Sequence, residues 1–380
     1  MIPNLNYHDP AALAAEMQRV FTPGWQFAAL ADELAQNRDF VRVDLPGESV
    51  VVQNFNGELR AFKNVCTHRF NLIQTTERGN RHLVCNYHGW RFGADGMPLG
   101  TKSKQGFVNG SEDPARLCLT RYAVEVCGRF VFFSREAAPE PLETYLGEFA
   151  PLLRDLSRHI GRETHFGAVE HAANWKLLVE NVLECYHCAS VHPETFVTGL
   201  GVGRKPISDV RTEGMHSSSH FPRVETRRES LRRRIVSHLD SREFAHDSFF
   251  HIHIFPNLFI SSTEGTAFYV GHALPRGPAS TTLRVRFFEP NVELTTGGRA
   301  RQDAINAQGV ALGLQVIEED RAILENVQRG VEAADRPPML GDEEVRLRAF
   351  SAVYETCMAG GRPQRSAAGE LVSLCSTAAI

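Results

Sequence analysis

The 380-residue chain is predicted to be α+β: a small all-β domain followed by a larger domain in which a curved antiparallel sheet is flanked by helices. Three observations predict this. Between Phe40 and Phe133, short alternating apolar runs are separated by turn signals. Strand patterning returns over residues 247–289. Around these blocks lie stretches with apolar residues at helical spacing. The totals fit such a fold, with 42% hydrophobic and 23% charged residues. A net charge of −4 argues against nucleic-acid binding, and no apolar run approaches the roughly 18 residues of a membrane span. Met1–Tyr7 has neither a basic start nor an apolar core, so a cytoplasmic location is expected. Eight cysteines, thinly spread, suit metal ligation or buried thiols rather than a disulfide framework.

Taken in order, the elements divide the chain into a helical segment (1–38) belonging to the larger domain, the β domain (39–138), the larger domain (139–358) and a tail (359–380) whose small, polar residues predict disorder. Residues 8–35 carry a helical pattern, opened by Asp9-Pro10 and closed by Pro23-Gly24. Val41, Val43, Val50–Val52 and Phe62 mark strands, with Asn56-Gly57 as a hairpin turn. Pro139-Glu140-Pro141 marks the boundary. Phe166–His171 reads as a strand and Asn174–Leu178 as the start of a helix. Gly199–Gly203 imitates a nucleotide loop, but no strand precedes it, and a loop beside a site is the better reading. The arginine-rich run Arg223–Arg234 reads as a solvated helix face or a docking surface for an acidic partner. Gln315–Gly330 reads as a helix with Gly330 just past its end, and Asp342–Cys357 as another.

Two groups of residues carry chemistry. In the β domain, Cys66-Thr67-His68 is followed after sixteen residues by Cys85-Asn86-Tyr87-His88-Gly89-Trp90. Two Cys-His pairs on hairpin tips fit zinc, or a Rieske [2Fe–2S] cluster with the cysteines on one iron and the histidines on the other; pairing each Cys with a His favours the cluster. The second group is Glu180–Pro193. On one helix Glu180, Glu184 and His187 would share a stripe, and His192 would point away from it unless the helix bulges or ends. Pro193 is a stop signal. This stretch alone fits either a metal site or a core helix with satisfied histidines. Cys185-x-x-Cys188 is read as two thiols packed in the core. A two-histidine iron site needs a carboxylate, for which Glu318, Glu319 and Asp320 compete.

These motifs, in this order, resemble the catalytic α subunit of the Rieske non-heme iron oxygenases, the aromatic ring-hydroxylating family, over roughly Val20 to Tyr354. Glu-Cys-Tyr-His-Cys resembles the carnitine/betaine oxygenase branch most. The resemblance implies a [2Fe–2S] cluster on Cys66, His68, Cys85 and His88, and mononuclear Fe(II) on His187, His192 and Asp320. It implies that Glu184 links one chain's cluster to the next chain's iron in a head-to-tail homotrimer. Glu318 and Glu319 are then surface charges or outer partners of the site. The family often has Pro at the position of Thr67 and Gly at that of Phe70, so an altered loop is expected. No flavin or nicotinamide motif is present, which implies a separate reductase, with or without a ferredoxin, drawing on NADH. The expected activity is that of a terminal oxygenase, leaning to N-dealkylation of a quaternary amine or betaine, with hydroxylation of a carboxylated aromatic ring as the alternative. His251, His253, Phe255 and Tyr269 are candidates for the substrate pocket. A Rieske electron carrier would leave the second group unexplained. A zinc-stabilised binding protein is the third reading.

Overall fold

The computed structural model describes residues 6–100, 114–224 and 243–362. Most of the arginine run and the end of the tail lie outside the described residues.

Helix α1, Pro10–Arg19, starts where Asp9 accepts a hydrogen bond from the Ala11 amide (2.8 Å) and Pro10 presets the first turn. The helical pattern expected to reach residue 35 ends there. Gln26–Leu30 is instead a strand, β1, followed by a 3-10 turn. All five of its residues are buried, and it pairs with β9 (Phe130–Ser134). An apolar run covered on both faces has no polar side by which periodicity can separate strand from helix. Strands β2 (Asp39–Leu45), β3 (Glu48–Phe55), β4 (Glu58–Lys63), β5 (Arg78–Asn80) and β8 (Arg121–Cys127) complete an antiparallel sheet in the order β1-β9-β8-β4-β3-β2-β5. Asn56 and Gly57 both take positive φ in the β3–β4 turn. β6 (Arg91–Phe92) and β7 (Pro98–Gly100) form a separate small ribbon.

This sheet is covered on both sides. Val50 and Val52 face the large core shared with the second domain, while Val51 faces a smaller core with Phe62, Cys66, Cys85 and Trp90. That is why the strand reads as an unbroken apolar run.

The second domain opens with α2 (Leu142–Leu146) and α3 (Phe149–His159). Its sheet is antiparallel, in the order β10-β16-β15-β14-β13-β12-β11. The strands are β10 (Ile160–His171), β11 (Ser208–Glu213), β12 (His216–Pro222), β13 (Ser248–Ile254), β14 (Leu258–Thr263), β15 (Ala267–Gly277) and β16 (Ser280–Pro290). In β13, Phe250, Ile252 and Ile254 pack with the leucines of α2 and α3. Phe249, His251 and His253 take the opposite face, toward the remaining helices.

Those helices are α4 (Trp175–Val182), the short α5 (Cys188–Val191), α6 (Thr296–Ala333) and α7 (Val345–Met358). Helix α6 has 38 residues, far more than the sequence pattern suggested, and Gly330 lies inside it rather than past its end. Four glycines before Gln315 dilute the periodicity. One of them is required: a Cβ on Gly313 would meet the Phe287 ring at 2.5 Å. No helix among the described residues is long and apolar enough to cross a membrane.

Charge fixes the second sheet against the first. The buried Arg286 pairs with Glu33 (2.6 Å), Arg284 with Glu77 (3.2 Å), and Arg276 donates to the Asp44 carbonyl (3.0 Å). Glu33→Gln would strand the Arg286 guanidinium in a buried site. The expected cost is about 2 kcal/mol, below the usual range for a fully buried pair because Glu33 keeps some exposure. A lowered urea midpoint at unchanged slope would show it.

Candidate active site

The two Cys-His loops are twin turns. Cys66 O accepts from the Phe70 amide and Cys85 O from the Gly89 amide, both at 2.9 Å. The Cys66 amide donates to Asn71 O and the Cys85 amide to Trp90 O. The fifth residue of each turn has positive φ: +74° at Gly89 and +61° at Phe70. The loop at Phe70 thus has the same form as its twin at Gly89. The turn is kept, and a non-glycine residue bears about 1–2 kcal/mol of left-handed strain. Both sulfurs are buried, while His68 and His88 are partly exposed with ring centroids 4.5 Å apart. The His68 ring stacks on Trp90 (5.0 Å, 4°). Burial, with the neighbouring Cys85 thiol, pushes the Cys66 thiol up to about 11, so only a bound cation would hold it as a thiolate near neutral pH. The Asn71 side-chain amide donates toward Cys85 Sγ (3.6 Å). Buried sulfurs behind partly exposed imidazoles fit the donor set of a Rieske cluster.

The second group is not one helix. α4 ends at Val182, so Glu184 and His187 lie on a turn and do not share a stripe with Glu180. Pro193 does not stop the chain either. It opens a π-helical segment, Pro193–Leu200, that takes in the first two residues of the expected glycine loop. Glu184 accepts from the amides of Tyr186 and His187 and from His187 Nδ1, which fixes both the turn and the imidazole. His192 is fully buried and donates from Nδ1 to Glu319 Oε2 (2.8 Å), which Thr195 also reaches (2.7 Å). The two Nε2 atoms converge on Asp320 Oδ1, at 3.6 Å for His187 and 2.9 Å for His192. Ligand atoms of His187, His192 and Asp320 all lie within 4.8 Å of one another, as a shared ion requires. Burial opposes charge on His192, but Asp320 and Glu319 outweigh it and hold its pKa above the usual value. Glu318 does not join this site; it pairs with Arg321 on the surface. Of the three acids, Glu319 is thus the one whose outer-partner role needed coordinates.

A cavity of about 460 Å³ opens beside these ligands. Glu184, His187 and Asp320 line it, together with Phe196, Phe221, Phe249, Phe259, Tyr269 and Phe287 among others. Of the four pocket candidates, His251 and Tyr269 line the cavity. His253 does not: it donates to the Pro256 carbonyl (3.0 Å) and packs on Phe350, and burial pushes it down to about 3. Phe255 packs in the large core, also against Phe350. Cys185 and Cys188, expected as free thiols, are joined in a disulfide, because the turn after α4 brings their Cα atoms to 4.9 Å. Arg223, the first residue of the basic run, is buried and pairs with Glu264 instead of facing solvent.

Glu180 belongs to a different cluster. Tyr7 donates to it (2.9 Å), and nearby Lys176 is fully buried against Glu16 (2.5 Å), which also accepts from Trp175 Nε1 and Tyr354 Oη. Burial outweighs Tyr7 and Lys176 and raises the Glu180 carboxyl to about 7. A carboxyl raised in the folded state favours folding when protonated, so this contribution is lost as pH rises through about 7. Glu180→Gln should match the parent at pH 4.5 and exceed it by about 3 kcal/mol at pH 8, measured by denaturant unfolding at both pH values.

A β domain with two Cys-His loops, joined to a sheet-and-helix domain with a two-His, one-carboxylate cluster, has the donor sets of a protein with two metal centres. Residues 24–109 match the Rieske [2Fe–2S] domain, and residues 153–360 match the ring hydroxylating alpha subunit (catalytic domain). The chain belongs to this ring-hydroxylating α-subunit family. It is similar to the glycine betaine monooxygenase oxygenase subunit of Pseudomonas aeruginosa, 29% identical over 52% of this chain and 46% of that protein. It is also similar to the carnitine monooxygenase oxygenase subunit of Escherichia coli, 33% identical over 50% of this chain and 52% of that one. The matched region thus spans about half the length of these curated relatives. Its fold is similar to that of a quaternary ammonium Rieske monooxygenase solved with L-carnitine, with a TM-score of 0.74, 22% identity, and 93% and 94% of the two chains covered.

Proposed function

We propose that the chain is the terminal oxygenase component of a two-component or three-component system, oxidising a small quaternary amine or betaine with loss of an N-alkyl group. The observation that carries this is the position of the His187–His192–Asp320 triad beside an aromatic-lined cavity, in a chain that also holds a Rieske domain. The names of the relatives support the substrate class. So does the chemistry of the cavity, whose phenylalanine rings offer their faces to an ammonium.

Iron bound by the triad supplies the site for activating O₂, and the cluster on Cys66, Cys85, His68 and His88 supplies electrons one at a time. The chain's own residues prepare both. Glu184 and Glu319 keep a proton on Nδ1 of His187 and His192, leaving each Nε2 to face the metal position. The apolar walls exclude water and hold the substrate carbon in place. Electrons come from a separate reductase, with or without a ferredoxin, that draws on NADH. The working form is a cytoplasmic head-to-tail homotrimer in which Glu184 of one chain meets His88 of the next.

Oxygen uptake and aldehyde release, measured with a donor system over glycine betaine, carnitine, choline and benzoate, test the reading. Turnover on an ammonium compound is expected. Turnover on benzoate alone would move the function to ring hydroxylation, and a colourless protein holding only zinc would remove the oxygenase reading.

A further inference from the structure

Helix α7 buries an arginine that its apolar stripe does not explain. Arg346 shares that stripe with Phe350, Tyr354 and Cys357, and its side chain is fully buried. It donates to Ser217 Oγ (3.0 Å), Ser219 Oγ (2.8 Å), the Ser217 carbonyl (3.4 Å) and His251 Nδ1 (3.1 Å). No carboxylate among the described residues pairs with it. Burial lowers its pKa to about 9, which still leaves it a cation at neutral pH. An uncompensated buried charge is costly, so the fold keeps positive potential here that no described carboxylate neutralises.

The contact with His251 fixes chemistry inside the cavity. A guanidinium can only donate, so His251 Nδ1 must accept, and the ring proton must sit on Nε2. Burial first, and Arg346 next, hold the imidazole neutral, its pKa well below the usual value. Nε2 makes no hydrogen bond to the described residues, and His251 lines the cavity. Ser261, its partner across the β13–β14 ladder, lines the cavity as well. The path from the metal site is continuous. His192 touches Phe196 (5.2 Å between centroids), Phe196 touches Phe249 (5.4 Å), Phe249 stacks on Phe221 (5.8 Å), and Phe221 stacks on His251 (6.2 Å).

We propose that His251 Nε2–H and the Ser261 hydroxyl, backed by the Arg346 cation, form a subsite for the carboxylate of the substrate at the far end of this row of rings. An ammonium would lie along the rings toward Asp320, and the carboxylate would face the buried positive charge. The site thereby favours a zwitterion over a simple ammonium alcohol. This rests on the reading of the cavity as the substrate site.

The test is equilibrium binding to the metal-loaded protein without reductant, by calorimetry, using glycine betaine, choline and benzoate. His251→Leu should weaken glycine betaine about 10- to 100-fold and leave choline unchanged. His251→Gln keeps an N–H donor and should recover part of the loss. Arg346→Met should remove the preference for the carboxylate; should it fail to fold, the two His251 variants still decide. Equal affinity of glycine betaine for parent and His251→Leu would overturn the subsite. So would an equal loss for choline, which would mark a structural role, or a parent that binds no carboxylate. A parent that binds benzoate in a His251-dependent way but no ammonium compound would keep the subsite and overturn the amine reading.

Discussion

Replacing Asp320 by alanine is expected to remove one metal and leave the other intact. The carboxylate is the point on which both Nε2 atoms converge, so its loss leaves two imidazoles held to Glu184 and Glu319 with no third ligand. The cluster loops share no residue with this site. Iron content should fall from about three to about two per chain, with the visible spectrum of the cluster unchanged. Turnover should fall by more than about 100-fold, the upper end of the cost of losing an outer partner of a metal site. Full iron content together with normal turnover would assign the ligand role to another acid. Glu319 is the nearest candidate, because it already bonds His192.

The second large effect is expected at Glu184. Its carboxylate has about four lone-pair sites, and three are occupied within its own turn. One remains, which suffices for a single hydrogen bond from a neighbouring chain. Glu184→Gln keeps Oε1 for His187 Nδ1, but without the carboxylate charge that oxygen accepts a further bond from a neighbouring chain more weakly, and the new amide cannot accept from the Tyr186 and His187 N–H groups. Both metals should therefore stay bound and the cluster should still be reduced chemically, while sustained turnover falls about 100-fold or more. Normal turnover would sink the inter-subunit relay. Mixed oligomers give an independent check. A chain lacking His88 and a chain lacking Asp320 should each be inactive, and together they should regain activity only if electrons cross between subunits.

Spacing alone picked out Cys66, His68, Cys85 and His88, because each Cys shares a short loop with a His; His187 and His192 by themselves fitted a core helix as well as a metal site, and Asp320 and Glu184 were assigned only by family resemblance. The strands of the second domain were legible too: they are buried on both faces, but their aromatic and β-branched runs mark β13 to β16 without knowledge of the partner strand. Shorter or glycine-diluted elements lack that mark. Gln26–Leu30 gave no alternation because β1 packs against two cores, and α6 lost its period to glycines that accommodate neighbours such as Phe287.

What the sequence by itself determined is a set of candidate metal donors and the order of the two domains, because both are carried by local spacing and residue type. What only the tertiary structure decided is which partners those residues meet. It placed Glu319 behind His192, Tyr7 on Glu180, His253 in the core rather than the cavity, and Arg346 behind His251 from more than ninety residues away. Each of these placements joins segments distant in the chain, that of His253 through its packing on Phe350. Their energies depend on burial and on the geometry of facing elements, neither of which is encoded in a local pattern.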